Sequence, residues 1–230
     1  MDHSFLRQYF LGNPGRVSDV VEFDRDLDRL LPFDFTERNR SLSPETISDT
    51  SRFTEWVEEE LGRHACRYGI GGYNEHRTLY ARSAHFNSGE EPRRLHLGVD
   101  IWGPAGTPVF CPHEGRVHSF RFNDRFGDYG ATIILEHDIA GHTLHTLYGH
   151  LDLESISGLE EGRLVAKGQR LARFGPAEEN GNWPPHLHFQ LILDMENNRG
   201  DYPGVCRFSE RAHYLANCPD PAIILHANFN

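Results

Sequence analysis

The chain has 230 residues, 34 of them acidic and 23 basic, with a formal net charge of −11 at pH 7 and 38% hydrophobic content. This composition describes a globular chain long enough to bury one good core. The negative charge excludes a general nucleic-acid or anionic-membrane binder, whose affinity needs clustered positive charge. No apolar run approaches the roughly 20 residues that span a bilayer.

The opening stretch, MDHSFLRQYFLGNPGRV, lacks a basic region followed by an apolar one. Cys66, Cys111, Cys206 and Cys218 are scattered, with no CxxC among them. Both features lead us to expect a cytoplasmic protein with free thiols. Residues 1–72 read as an acidic, mostly helical N-terminal segment. A short helix is expected around Val17 to Leu31, and then a loop punctuated by Pro32 and Pro44. A second helix places Phe53, Trp56, Val57 and Leu61 on one side and most of Glu58, Glu59 and Glu60 on the other. Asp49, Thr50 or Ser51 can cap it, and the glycines between Gly69 and Gly72 are expected to stop it.

From residue 73 to 230 the pattern changes to short β-like runs broken by Gly, Pro and Asp, ending in a C-terminal extension. Expected strands are 73–81, 107–111, 115–122, 130–137, 142–149, 164–167, 170–174 and 187–194. The predicted fold class is therefore mainly β with an α-helical N-terminal segment, its core an antiparallel sandwich or barrel.

Fifteen histidines make each one weak evidence alone. Three local patterns stand out. His96-Leu97-Gly98-Val99-Asp100 sets an imidazole and a carboxylate four apart around a small Gly98; zinc accepts both donor types. In Pro184-Pro185-His186-Leu187-His188-Phe189, strand periodicity puts His186 and His188 on one face and turns Leu187 and Phe189 toward the core. In Tyr148-Gly149-His150, a histidine stands at a strand end, where it can overlook a cleft. Two other patterns are set aside as structural or solvent-facing. His113 and His118 imitate HExxH with the wrong spacing, and His142 and His145 fall on opposite strand faces.

In order along the chain, these patterns resemble the lysostaphin- and LytM-type zinc endopeptidases, metallopeptidase family twenty-three. The resemblance runs from about Arg94 to Leu193 through HLGVDIWGPAGTPVFCPHEGRVHS, YGATIILEH, LYGHL, GRLVAKGQRLARFG and PPHLHFQL. It implies an antiparallel β-core with an open groove, and one zinc ion held by His96, Asp100 and His188. It makes His150 and His186 the catalytic histidines. Where the family has a Ser/Thr/Gly-rich approach to the HxH strand, this chain has EENGNWPPHLH, so Trp183 and the prolines reshape the groove. NGNWPPHLHFQ with the later YPGV also resembles a version of the domain found in large fused proteins.

The expected activity is hydrolysis of an amide bond in a peptide, a peptidoglycan-like substrate or a small cytoplasmic amide. Three protein ligands leave one tetrahedral position for water, whose pKa zinc lowers toward roughly 7. His150 and His186 are the proton carriers on offer. One alternative is a binding or regulatory module that retains metal without cleaving. A cupin-like iron oxygenase fits less well, because the downstream glutamate of that pattern is missing.

Overall fold

A computed structural model of the protein describes residues 3–87 and 89–229. Among the described residues, twelve strands appear: β1 (Leu30–Phe33), β2 (Tyr68–Gly71), β3 (Leu95–His96), β4 (Val99–Trp102), β5 (Pro108–Phe110), β6 (Gly115–Asn123), β7 (Gly130–Ile139), β8 (His142–Leu151), β9 (Leu164–Val165), β10 (Arg170–Arg173), β11 (His186–Ile192) and β12 (Val205–Cys206). Eight of them form one sheet in the order β1-β2-β4-β11-β8-β7-β6-β9. Every pairing in it is antiparallel except β1 with β2. The molecule is mainly β, built on a large antiparallel sheet, as expected. Its helices are α1 (Ser4–Leu11), α2 (Pro44–Ser48), α3 (Thr50–His64), α4 (Arg211–Asn217) and α5 (Ala222–Phe229). Among the described residues, no helix is long and apolar enough to cross a membrane.

The pleat of the sheet separates core from site. On one face Val99, Ile101, Leu187, Phe189 and Leu191 join the main apolar cluster. On the other face stand Asp100, Trp102, His186 and His188, placed by the strand period of two. Register then decides which of them meet: His188 lies opposite Asp100, and His186 opposite Trp102.

Several expectations for the N-terminal part differ from the structure. The stretch 17–31 is not a helix. Val17, Val20 and Val21 are buried in the main cluster, and the chain runs extended along β5, with the Phe110 amide donating to the Val20 carbonyl. Beyond it, Asp24 and Asp28 draw backbone amides onto their side chains, the local competition that favours turns over helix. The segment 1–72 also supplies two strands, β1 and β2, to the sheet edge. The helix at 50–64 forms as read and is capped by the Asp49 carboxylate, but it stops at Ala65, whose backbone is left-handed. Gly69 lies instead within β2, where a Cβ would come within 2.3 Å of the Phe33 ring. Finally, 73–81 is not a strand: it turns around the buried Arg77 into a 3₁₀ segment, Thr78–Arg82.

Helix α3 packs its Phe53, Val57 and Leu61 into a second, aromatic cluster with Phe33, Phe35 and Trp102. Phe53 lies 6.1 Å from the Phe35 ring and 5.9 Å from Trp102. Truncating such a fully buried ring loses both transfer energy and packing. Phe53→Ala is expected to cost about 3–5 kcal/mol in urea-induced unfolding; a loss within experimental error of zero would contradict this packing.

Candidate metal centre and active site

Strands β3, β4 and β11 bring His96, Asp100 and His188 together, all three buried. His96 Nε2 lies 3.0 Å from His188 Nδ1. Asp100 Oδ1 lies 3.0 Å from His188 Nδ1 and 3.2 Å from His96 Nε2. The protonation of these atoms follows from what stands behind them. His96 Nδ1 is 3.0 Å from the Gly72 carbonyl, which can only accept, so the proton sits there and Nε2 is bare. Gln190 Nε2 donates to the Pro203 carbonyl, which turns Gln190 Oε1 toward His188 Nε2 at 2.9 Å. His188 therefore donates from Nε2 and presents a bare Nδ1.

Three acceptor atoms thus share one buried spot with no donor of their own between them. Such an arrangement is repulsive unless a cation occupies it. Donors of a tetrahedral zinc site, at 2.0–2.1 Å from the ion, are about 3.3 Å apart. The observed triangle of 3.0 to 3.2 Å fits that geometry, and the donor set of two imidazoles and a carboxylate fits a divalent ion.

Electrostatics keep His96 and Asp100 unprotonated. Burial pushes the His96 pKa down to about 4, with the Arg77 cation adding to the effect. Burial alone would raise the Asp100 carboxyl, but His96 and Arg77 more than offset it and hold it well below the ordinary range. Arg77 bonds Asp100 Oδ2 directly.

His150 and His186 lie beside this triangle, their ring centroids 4.1 Å apart. His150 Nδ1 donates to the Asn180 carbonyl at 2.8 Å, and His186 Nδ1 donates to the Pro184 carbonyl at 2.7 Å. Each ring is left with a bare Nε2. Burial lowers both pKa values, His186 to about 4 and His150 well below its usual value, the latter further depressed by His186 itself. His186 stacks on Trp102 at 3.9 Å. His150 has a left-handed backbone, φ 62°, uncommon for a residue with a side chain. Its amide and carbonyl are pinned by Tyr129 and Gly175.

These residues open onto a cavity of about 180 Å³, also lined by Tyr80, Tyr129 and Trp183. All five residues singled out in the sequence therefore gather at one place. The residues set aside lie elsewhere: His113 contacts Tyr9, and His118 faces His145 at 5.1 Å. Sequence reading missed Arg77, Gln190 and Tyr129. Gln190 was within reach, since it follows His188 by two on the same strand face. Nothing in the sequence marks Arg77.

Residues 94–199 match the model of Peptidase family M23. These residues belong to peptidase family M23. The M23 region has curated relatives among bacterial enzymes. An L-Ala–D-Glu endopeptidase of Bacillus subtilis (strain 168) is 28% identical over 177 residues, covering 74% of this chain and 50% of the relative. The peptidoglycan DD-endopeptidase ShyB of Vibrio cholerae is 32% identical over 196 residues, covering 79% of this chain and 41% of the relative. The chain spans half or less of the length of these relatives. Among solved structures, the lysostaphin catalytic domain of Staphylococcus simulans aligns at 20% identity and a TM-score of 0.45, over 75% of this chain and 97% of that one.

Gly98 explains why the M23 triangle closes so tightly. A Cβ there would lie 2.7 Å from His188 Nε2 and 2.8 Å from the Phe189 carbonyl oxygen. Gly98→Ala is expected to displace the His188 ring, costing about 1–3 kcal/mol of stability by overpacking. Affinity for a divalent ion should fall at least about tenfold, the scale on which disturbed ligand orientation acts. Calorimetric metal titration alongside thermal unfolding checks both; wild-type affinity in the variant would show that His188 is not a ligand.

Proposed function

We propose that this chain is a zinc-dependent peptidase that cleaves an amide bond in a peptidoglycan-like peptide, with His96, Asp100 and His188 holding the ion. The observation that carries the reading is the triangle of three bare acceptors beside two further histidines with free Nε2 atoms. The names of the curated relatives, both endopeptidases, support the substrate class.

Zinc bound at the triangle would polarise the scissile carbonyl and lower the pKa of an attacking water. The remaining work falls to the chain's own side chains. His150 and His186 are held neutral by burial, so each offers an unprotonated Nε2 that can receive a proton during the reaction. Their Nδ1 protons are fixed on the Asn180 and Pro184 carbonyls, which sets the tautomer and aims Nε2 at the reactants. Once one ring is protonated it becomes a donor to the developing oxyanion or the leaving amine. The close ring spacing disfavours charge on both rings together, so the pair carries one proton at a time. Tyr80, Tyr129 and Trp183 wall the cavity with rings that exclude water from the peptide.

A metal-retaining binding module would need the triangle but not two neutral, pre-oriented histidines beside it. The decisive variant is His150→Asn, because asparagine tolerates the left-handed backbone at this position. It is expected to retain metal and lose at least about 100-fold in turnover on purified cell-wall fragments. A chelator should abolish wild-type cleavage, and added zinc should restore it. Full turnover by His150→Asn, or wild-type cleavage that survives exhaustive chelation, would refute the proposal.

A further inference from the structure

The loop between β2 and β3 carries no recognisable motif, yet it folds around one fully buried guanidinium. Arg77 is 0% exposed. Its Nη1 donates to Asp100 Oδ2 and, at 3.3 Å, to the Tyr80 hydroxyl. Its Nε donates to Glu75 Oε2 at 2.6 Å. The guanidinium lies 5.2 Å over the Phe35 ring, and the other oxygen of Glu75 accepts from the Phe35 amide. Gly71 leaves room for it, since a Cβ there would come within 2.5 Å of Nη2. Burying this cation is costly unless it is well paired, and Glu75 alone would supply a partner. The bond to Asp100 therefore calls for a separate reason.

A carboxylate can bind a metal through one oxygen or through both. Asp100 divides its oxygens sharply. Oδ1 faces the two imidazole nitrogens, and Oδ2 turns away to Arg77. We propose that Arg77 is a positioning residue that withholds Oδ2 from the metal, so that Asp100 binds through one oxygen and one corner of the ion stays open to the cavity. The inference rests on the metal-centre reading above. The planar, forked guanidinium suits the task, because it can hold Asp100 and Glu75 at once, whereas an ammonium acts as a single point charge. If Arg77 lets go, Oδ2 can rotate inward and fill the corner that a reactant needs. The site would then favour ions that accept more oxygen donors.

The test uses the full chain loaded with zinc or with cobalt(II). X-ray absorption of the zinc-loaded wild type is expected to show one carboxylate oxygen on the metal, and the cobalt form to show the intense visible bands of a four-coordinate ion. Arg77→Gln should weaken those bands as coordination rises, and should release zinc to a chromogenic chelator about 10- to 100-fold faster. Gly71→Ala keeps every charged group but presses on Nη2, so it should shift the spectrum in the same direction. It carries the test if Arg77→Gln does not fold. A wild-type ion bound by both oxygens of Asp100, or a wild-type cobalt spectrum in either folded variant, overturns the inference. A wild type that takes up neither zinc nor cobalt is a different failure, and takes down the metal centre itself.

Discussion

Three lone pairs that ought to repel one another are held within 3.2 Å, out of reach of bulk water. Much of the surrounding structure can be understood as the means of enforcing that contact. Register across β4 and β11 brings Asp100 and His188 face to face. The missing side chain of Gly98 lets His188 pass. From behind, the Gly72 carbonyl and Gln190 Oε1 take the only ring protons, so neither imidazole can relieve the repulsion by turning a proton inward. A site built this way is pre-organised for a cation, because the cost of gathering the donors is met by folding rather than by binding.

The four histidines of the centre divide by which nitrogen the protein occupies. His188 has Nε2 engaged and faces the triangle with Nδ1, whereas His96 has Nδ1 engaged and faces it with Nε2. His150 and His186 follow the second pattern, but their free nitrogens belong to no triangle of acceptors. Burial keeps His150 and His186 unprotonated too, but among the described residues they stand outside the group of donors that could share an ion. The same physical device, a carbonyl behind the ring, thus recurs at all four histidines, and the difference lies in what the ring faces.

This division also explains what could be read from the chain. The i, i+2 spacing of His186 and His188 and the Gly98 between His96 and Asp100 encode local geometry, so the sequence carries them openly. The strands from β5 to β11 were legible for the same reason: their alternation and turn residues are local. Val17 to Leu31 misled because its apolar spacing suits a helix, while its aspartates bind their own backbone and its valines are claimed by distant β5. Arg77 was invisible because its meaning comes from a partner 23 residues away, across a loop that obeys no period. The glycines at 69–72 looked like punctuation; in Gly69 and Gly71 the structure uses the absence of a side chain for close approach.

The N-terminal segment takes its place in the same logic. Phe35 covers the Arg77 guanidinium, and its amide steadies Glu75. Phe33, Phe35 and Phe53 surround Trp102, whose ring lies flat against His186. Two lines of contact that share Phe35 therefore run from this segment to the centre, one ending on Asp100 and the other on His186. A buried guanidinium in particular cannot be left half covered, since water on one side would compete for its carboxylates and loosen both. Strand β1 and helix α3 are then better understood as the rear wall of the site than as a module beside it. Their aromatic packing keeps a candidate metal ligand and a candidate proton carrier in register at once.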